Sequence, residues 1–288
     1  MLDVAKQAVQ AAKAAGADYA DGRVVADDTE SITVRNQEME GIDRSSSEGL
    51  GIRVLVNGYW GFAATARQEP EEVERTAKLA VEIARAAARL PMEPVVLAGV
   101  EPVTGTWHSP MQVDPFNVPL EEKVAMLMEA TRRMQSVQGL AFGEGGLDLF
   151  RRRTFLATSE GTAIEQTTVQ SGAGIEATAL GDGGLQRRSF PNSFRGHISA
   201  AGWEHIQKLA LIEEAERTAT EAVELLSADE CPSEATTLVL DSGQVELQIH
   251  ESIGHPVELD RVLGMEEAYA GSSFVRPDDR GSLRYASP

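Results

Sequence analysis

The sequence predicts an α+β fold, with two helix-plus-antiparallel-strand modules, residues 1–94 and 95–228, followed by a different segment from residue 229 onward. Three observations carry this. Helical and strand periodicity follow each other twice, a proline-rich stretch separates the two rounds, and Cys231-Pro232-Ser233 interrupts the pattern afterwards. The first helix spans residues 2–15, where Val4, Ala8, Val9 and Ala12 recur at helical spacing and Gly16 halts it. Strands are predicted at 19–26, 31–35 and 49–56, and the Asn57-Gly58 pair is a tight hairpin turn into Tyr59-Trp60-Gly61-Phe62-Ala63. Trp60 and Phe62 are expected to pack that hairpin on the next helix. This helix opens at Pro70-Glu71-Glu72 and carries an apolar stripe of Val73, Ala77, Ala80, Val81, Ala84 and Ala88.

Pro91, Pro94, Pro102, Pro110 and Pro115 cannot lie within a helix, so residues 91–118 read as a connection between modules. Pro119 opens a second helix with Leu120, Val124, Leu127, Met128 and Met134 on one side. Strands follow at 155–158, 162–169 and 172–179, with turns at Ser159-Glu160-Gly161 and Gly181-Asp182-Gly183-Gly184. A third helix covers about 203–226, and Thr237-Leu238-Val239-Leu240 is a short buried-strand candidate.

Charge and composition narrow the function. With 26 Lys plus Arg against 45 Asp plus Glu, the net charge is −19, which opposes approach to nucleic acid or anionic lipid. One cysteine, Cys231, builds no internal disulfide framework, and no run is apolar enough to span a bilayer. The start of the chain is amphipathic and soon charged, unlike a secretory leader. A cytoplasmic protein with no nucleic-acid or membrane partner is expected. Arg151-Arg152-Arg153 and Arg187-Arg188 are read as offsetting neighbouring carboxylates. His108, His197 and His205 read as isolated. The glycines near 143–146 and 172–174 lack a phosphate-binding spacing.

The chemistry concentrates in residues 241–260. Ser242 caps a helix start, and Val245, Ile249 and Ile253 give that helix a buried stripe with His250 and Glu251 on its flank. His250-Glu251 followed by His255 is the chemical set of a zinc hydrolase, in which neutral imidazoles bind the metal and the carboxylate handles the proton of the attacking water. Five residues on a straight α-helix, however, turn the two rings about 140° apart. Either a π-type turn brings them together, or the helix ends and His255 comes from the turn beyond. Gly254 permits an unusual backbone and Pro256 disfavours α geometry at His255, which favours the second route.

His250-Glu251-Ser252-Ile253-Gly254-His255, with Glu258 and Asp260 beyond it, resembles the HExxxH signature of the TldD/PmbA family of metalloproteases, also called modulators of DNA gyrase. Residues 49–63 resemble the family's N-terminal hairpin, and Tyr269-Ala270-Gly271-Ser272-Ser273-Phe274 its stretch after the metal motif. The intact motif is similar to the TldD side rather than the PmbA side. The resemblance implies two α+β modules leading into a β-rich metal domain at 229–288. It implies cleavage of unfolded or extended peptides by a dimer, either a homodimer or a heterodimer with a PmbA-like subunit. His250 and His255 become zinc ligands and Glu251 the general base. The family's third protein ligand is a distal cysteine, and none follows the motif here. The chain therefore reads as an N-terminal portion, with the distal part of the metal domain absent. Glu258 is read as a carboxylate that accepts a hydrogen bond from His255 and orients its ring, or as a substitute ligand; Asp260 could act likewise or pair with Arg261 or Arg276; Cys231 is read as a boundary thiol. The leading expectation is one zinc per chain in a metallopeptidase subunit. The alternative is a non-catalytic dimerisation or peptide-binding module with an incomplete metal site, and a role on DNA is disfavoured by the charge.

Overall fold

A computed structural model describes residues 1–90, 93–182, 184–192 and 196–282. Pro91 at the start of the predicted connection, Gly183 within a predicted turn and the chain end at Pro288 lie outside the described residues. The chain divides into two compact units, Met1–Ala228 and Asp229–Pro288.

In the first unit, α1 (Leu2–Ala14) precedes β1 (Tyr19–Arg35), β2 (Glu38–Val56) and β3 (Tyr59–Thr65), and α2 (Pro70–Ala87) follows. The two short strands expected at 19–26 and 31–35 are one strand of 17 residues. Acidic residues at 27–30 resemble a break in the sequence, but partners across the sheet neutralise them. Arg152 Nε lies 2.7 Å from Asp27 Oδ1, Arg153 Nη2 lies 3.1 Å from Asp28, and Arg44 Nε lies 2.6 Å from Glu30 Oε2. The arginine run thus offsets carboxylates, as its composition implied; Arg151 likewise pairs with Asp114 at 2.6 Å. Both hairpin turns use left-handed backbone: Asn57 and Gly58 at φ 52° and 83°, and Asn36 and Gln37 at φ 49° and 65°, the latter pair unforeseen.

After α2 come β4 (Thr104–His108), α3 (Leu120–Gln135), β5 (Leu140–Thr158), β6 (Ala163–Gly181), β7 (Gly184–Phe190), β8 (His197–Ser199), α4 (Trp203–Lys208) and α5 (Leu211–Glu224). The strands expected at 162–169 and 172–179 fuse into β6. The single helix expected at 203–226 is two, because Ala210 adopts φ 54° and interrupts the helical hydrogen bonding. The proline-rich connection contains β4, whose five exposed residues pair in parallel with β6 and show no alternation that a sequence reading could detect. All the described strands join one sheet, in the order β3-β2-β1-β5-β6-β4 with β7 and β8 also on β6. The strands of the two expected modules are therefore hydrogen-bonded to each other through β1 and β5.

Even-numbered residues of β1 turn inward throughout its length. Ala20 and Val24 join a cluster with α1 and α2, while Ile32 and Val34 join a second cluster with α3 and α5. Small residues set the helix-to-sheet distance. A Cβ on Gly61 would stand 2.0 Å from the Ala80 carbonyl of α2, and one on Gly22 would stand 2.6 Å from the Ala5 carbonyl of α1. Period-two alternation then sends Trp60 and Phe62 away from α2, correcting the expected packing. Gly61 and Ala63 face the helix, Phe62 is 59% exposed, and Trp60 meets Tyr19 edge-on beneath the Arg53 guanidinium.

Between the two apolar clusters, wholly buried Lys123 of α3 donates to Glu30 at 2.6 Å. Removing one charge of such a pair strands the other, so Glu30→Gln should lower unfolding free energy by about 3 kcal/mol in urea titrations. In the first turn of α2, Glu72 accepts from Arg75, Thr65 and Arg67, and the Arg75 hydrogen bonds foremost hold its carboxyl down from 4.5 to about 2. A depressed carboxyl contributes stability above its unfolded value and loses it as pH falls. Melting temperature measured by circular dichroism should therefore drop less between about pH 4.5 and 2 in Glu72→Gln than in the parent.

In the second unit, the buried strand expected at 237–240 is not formed. Leu238 and Val239 are 74% and 88% exposed, with no strand pairing described there to receive their backbone hydrogen bonds. The described residues of this unit carry α6 (Ser242–Ile249), α7 (Leu259–Val262) and α8 (Glu267–Ala270).

Candidate metal centre

Asp241, rather than Ser242, caps α6: its side chain accepts from Gln244 N at 3.1 Å. The expected buried stripe is also corrected, because Ile249 and Ile253 are 51% and 47% exposed with no described side chain covering them. Beyond Ile249 the chain keeps turning. Residues His250–Gly254 form a π turn in which His255 N donates to the His250 carbonyl, and a 3-10 turn, His255–Val257, follows. Five residues then complete nearly one revolution, so both imidazoles return to the same side. The favoured expectation of a helix ending before His255 gives way to the π turn. Gly254 contributes no unusual backbone, with φ −55° and ψ −65° in the helical region. Pro256 tolerates its place in the first turn, second residue of the 3-10 segment, because no intrahelical N–H donor is required there.

The two Nε2 atoms lie 2.8 Å apart, with the rings nearly perpendicular at 84°. Glu251 Oε1 is 4.0 Å from His250 Nε2, and the donor atoms of His250, Glu251 and His255 all fall within 4.8 Å of one another. Behind this group, His255 Nδ1 is 3.0 Å from Glu258 Oε1, and Arg261 Nε is 3.7 Å from Glu258 Oε2. With His255 Nδ1–H donating to the Glu258 carboxylate, His255 Nε2 carries a lone pair that can accept from His250 Nε2–H. Two nitrogens on a tetrahedral ion with bonds of about 2.0–2.1 Å stand roughly 3.3 Å apart. The pair needs to open by about half an ångström, and the His250 proton must sit on Nδ1 rather than Nε2. Both adjustments are within side-chain reach because His250 and Glu251 are 59% and 61% exposed, so nitrogen type and orientation fit a divalent ion.

Asp260 stays out of the cluster, its Oδ1 accepting from Arg261 N at 2.8 Å. Cys231 is exposed, with its Sγ 3.9 Å from the Pro232 carbonyl. His197 and His205 are not isolated: their rings sit 5.3 Å apart, and His205 Nε2 lies 3.0 Å from the His197 carbonyl. His108 is exposed on β4. A tether that sequence spacing did not reveal ties the stretch after the motif back to it, with Ser273 Oγ donating to the Pro256 carbonyl.

Comparison with known proteins matches residues 20–84 to a family model described as PmbA/TldA metallopeptidase domain 1, and residues 113–228 to the PmbA/TldA metallopeptidase central domain. This chain belongs to the TldD/PmbA family. Curated relatives of this TldD/PmbA chain include a metalloprotease of Methanocaldococcus jannaschii, 25% identical over 278 residues, covering 93% of this chain and 59% of the relative. Another, from Methanothermobacter thermautotrophicus, is 29% identical over 250 residues, covering 85% and 52% respectively. The chain thus spans little more than half the length of these relatives. The fold is also seen in a putative modulator of DNA gyrase from Bacteroides thetaiotaomicron, with TM-score 0.68 at 14% identity, covering 91% of this chain and 58% of that one. TldE from Thermococcus kodakarensis shows it with TM-score 0.51 at 16% identity, covering 78% and 47%. The family models end before residue 250, so the His250–His255 geometry stands as an independent observation.

If Glu258 orients the ring that binds metal, Glu258→Gln should weaken zinc affinity by about 10- to 100-fold in competition titrations against a chromophoric chelator, with the fold unchanged.

Proposed function

We propose that this chain carries the metal-binding motif of a zinc-dependent metallopeptidase acting on unfolded or extended peptides. The observation that supports this most is the approach of His250 and His255 across the π turn, with a free carboxylate beside them. The metalloprotease names of the relatives and the family's metallopeptidase domains support the same reading. His250 and His255 would hold the ion through Nε2, and Glu258 would keep the His255 proton on Nδ1. When bound, zinc supplies the Lewis acidity that polarises a scissile carbonyl. Glu251, exposed and next in sequence to a ligand, takes the proton of the attacking water and returns it to the leaving amine. Two imidazoles fall short of the roughly three protein ligands usual for catalytic zinc, and Glu258, on the Nδ1 side of His255, orients that ring.

The resemblance further supports a dimer, either of this chain with itself or with a PmbA-like subunit. A cytoplasmic setting is consistent with the single cysteine. No described helix is long and apolar enough to cross a membrane.

Metal analysis of the purified chain should find about one zinc per chain, and His250→Ala should lose it. Glu251→Gln should retain the metal while cleavage of an unfolded protein substrate falls at least about 100-fold. Protein that holds no zinc yet still binds unfolded peptide would favour the non-catalytic dimerisation or peptide-binding module instead.

A further inference from the structure

The sheet face turned away from α1 and α2 carries a second set of chemistry, on β1, β2 and β3 and the residue that follows β3. Strand register arranges its side chains in rows. Arg23 lies opposite Gly51, which lies opposite Ala64; beside them Val25 lies opposite Gly49, and Asp21 opposite Arg53, which faces Phe62. Gly49, Gly51 and Ala64 barely rise above the backbone, and the result is a trough of about 680 Å³. Phe62 forms its wall, lying so close over Gly51 that a Cβ there would come within 3.1 Å of the ring.

The charges around the trough are unequally satisfied. Asp21 is buried and accepts from Arg53 Nε at 2.8 Å, and the Arg53 guanidinium also lies over Trp60 at 4.7 Å. Arg23 is exposed and forms no ion pair or side-chain hydrogen bond with the described residues. In a chain of net charge −19, an unpaired guanidinium beside an apolar trough selects a ligand with an apolar body and a single carboxylate. The trough also opens onto backbone. Thr65 and Ala66 line its end, and β3 pairs only with β2 among the described strands, so the outer N–H and C=O groups of β3 can receive a main chain. A hydrocarbon tail would have no use for them.

We propose that this trough binds the carboxyl end of an extended peptide, with the α-carboxylate on Arg23 and an apolar last side chain over Gly51 against Phe62. The site goes beyond the proposed hydrolysis and does not depend on it. Binding can be measured in the full chain carrying His250→Ala, where cleavage does not intervene.

Isothermal titration of that protein with N-acetyl-Ala-Leu-Phe should give binding at least about tenfold tighter for the free acid than for its C-terminal amide. Arg23→Gln should erase the difference and Arg23→Lys retain part of it, while Phe62→Ala should weaken acid and amide alike, all with unchanged circular dichroism. Equal binding of acid and amide, absence of binding by either, or an acid preference that survives Arg23→Gln would overturn the proposal. So would decanoate binding as tightly as the peptide acid, since that would make the peptide backbone irrelevant.

Discussion

The hydrogen bonding of β1 to β2 on one side and to β5 on the other, along almost its whole length, is the constraint from which the first unit follows. A strand paired on both edges cannot slip without exposing its inward set, so Ala20, Val24, Ile32 and Val34 are committed to one face. That commitment places both helical layers against the same strand. It leaves Arg23, Val25 and their neighbours on the opposite face, where no described helix covers them. It also requires that the acidic middle of β1 be neutralised in place, by Arg152, Arg153, Arg44 and the buried Lys123.

Close approach of helix to sheet depends on what is missing from the side chains. Gly22 under α1 and Gly61 under α2 let backbone meet backbone, and the alanines of both helices complete the contact. The larger aromatic residues of the hairpin are thereby displaced outward. Trp60 gains a cationic partner in Arg53, and Phe62 becomes the wall of an open trough. Packing economy on one face thus creates binding potential on the other.

The metal motif depends on a different and purely local device. One additional residue per turn changes the angle between His250 and His255 from divergence to convergence, and a carboxylate three residues further on steadies the second ring. All four chemical groups lie within nine consecutive positions. The cluster can therefore be read from residue types even though α6 lacks a buried stripe.

Elements with strong local punctuation were legible: the helix stopped at Gly16, the Asn57-Gly58 turn, and the proline-led helices α2 and α3. Those defined by a distant partner were not. Segments 27–30 and 170–171 look like interruptions until arginines and neighbouring strands supply their partners, and β4 exists only because β6 offers it an edge. The inward or outward sense of Phe62 likewise depends on the glycine beside it meeting a helix. For the candidate site, the identities of His250, Glu251, His255 and Glu258 were written in the sequence, because metal chemistry selects residue types. Whether two rings five positions apart converge was decided by the folded backbone, since residue types alone do not set helical pitch. The same division holds throughout: composition and period determined which elements form and which groups can do chemistry, and tertiary structure decided their partners, because pairing across a sheet joins residues that local sequence never brings together.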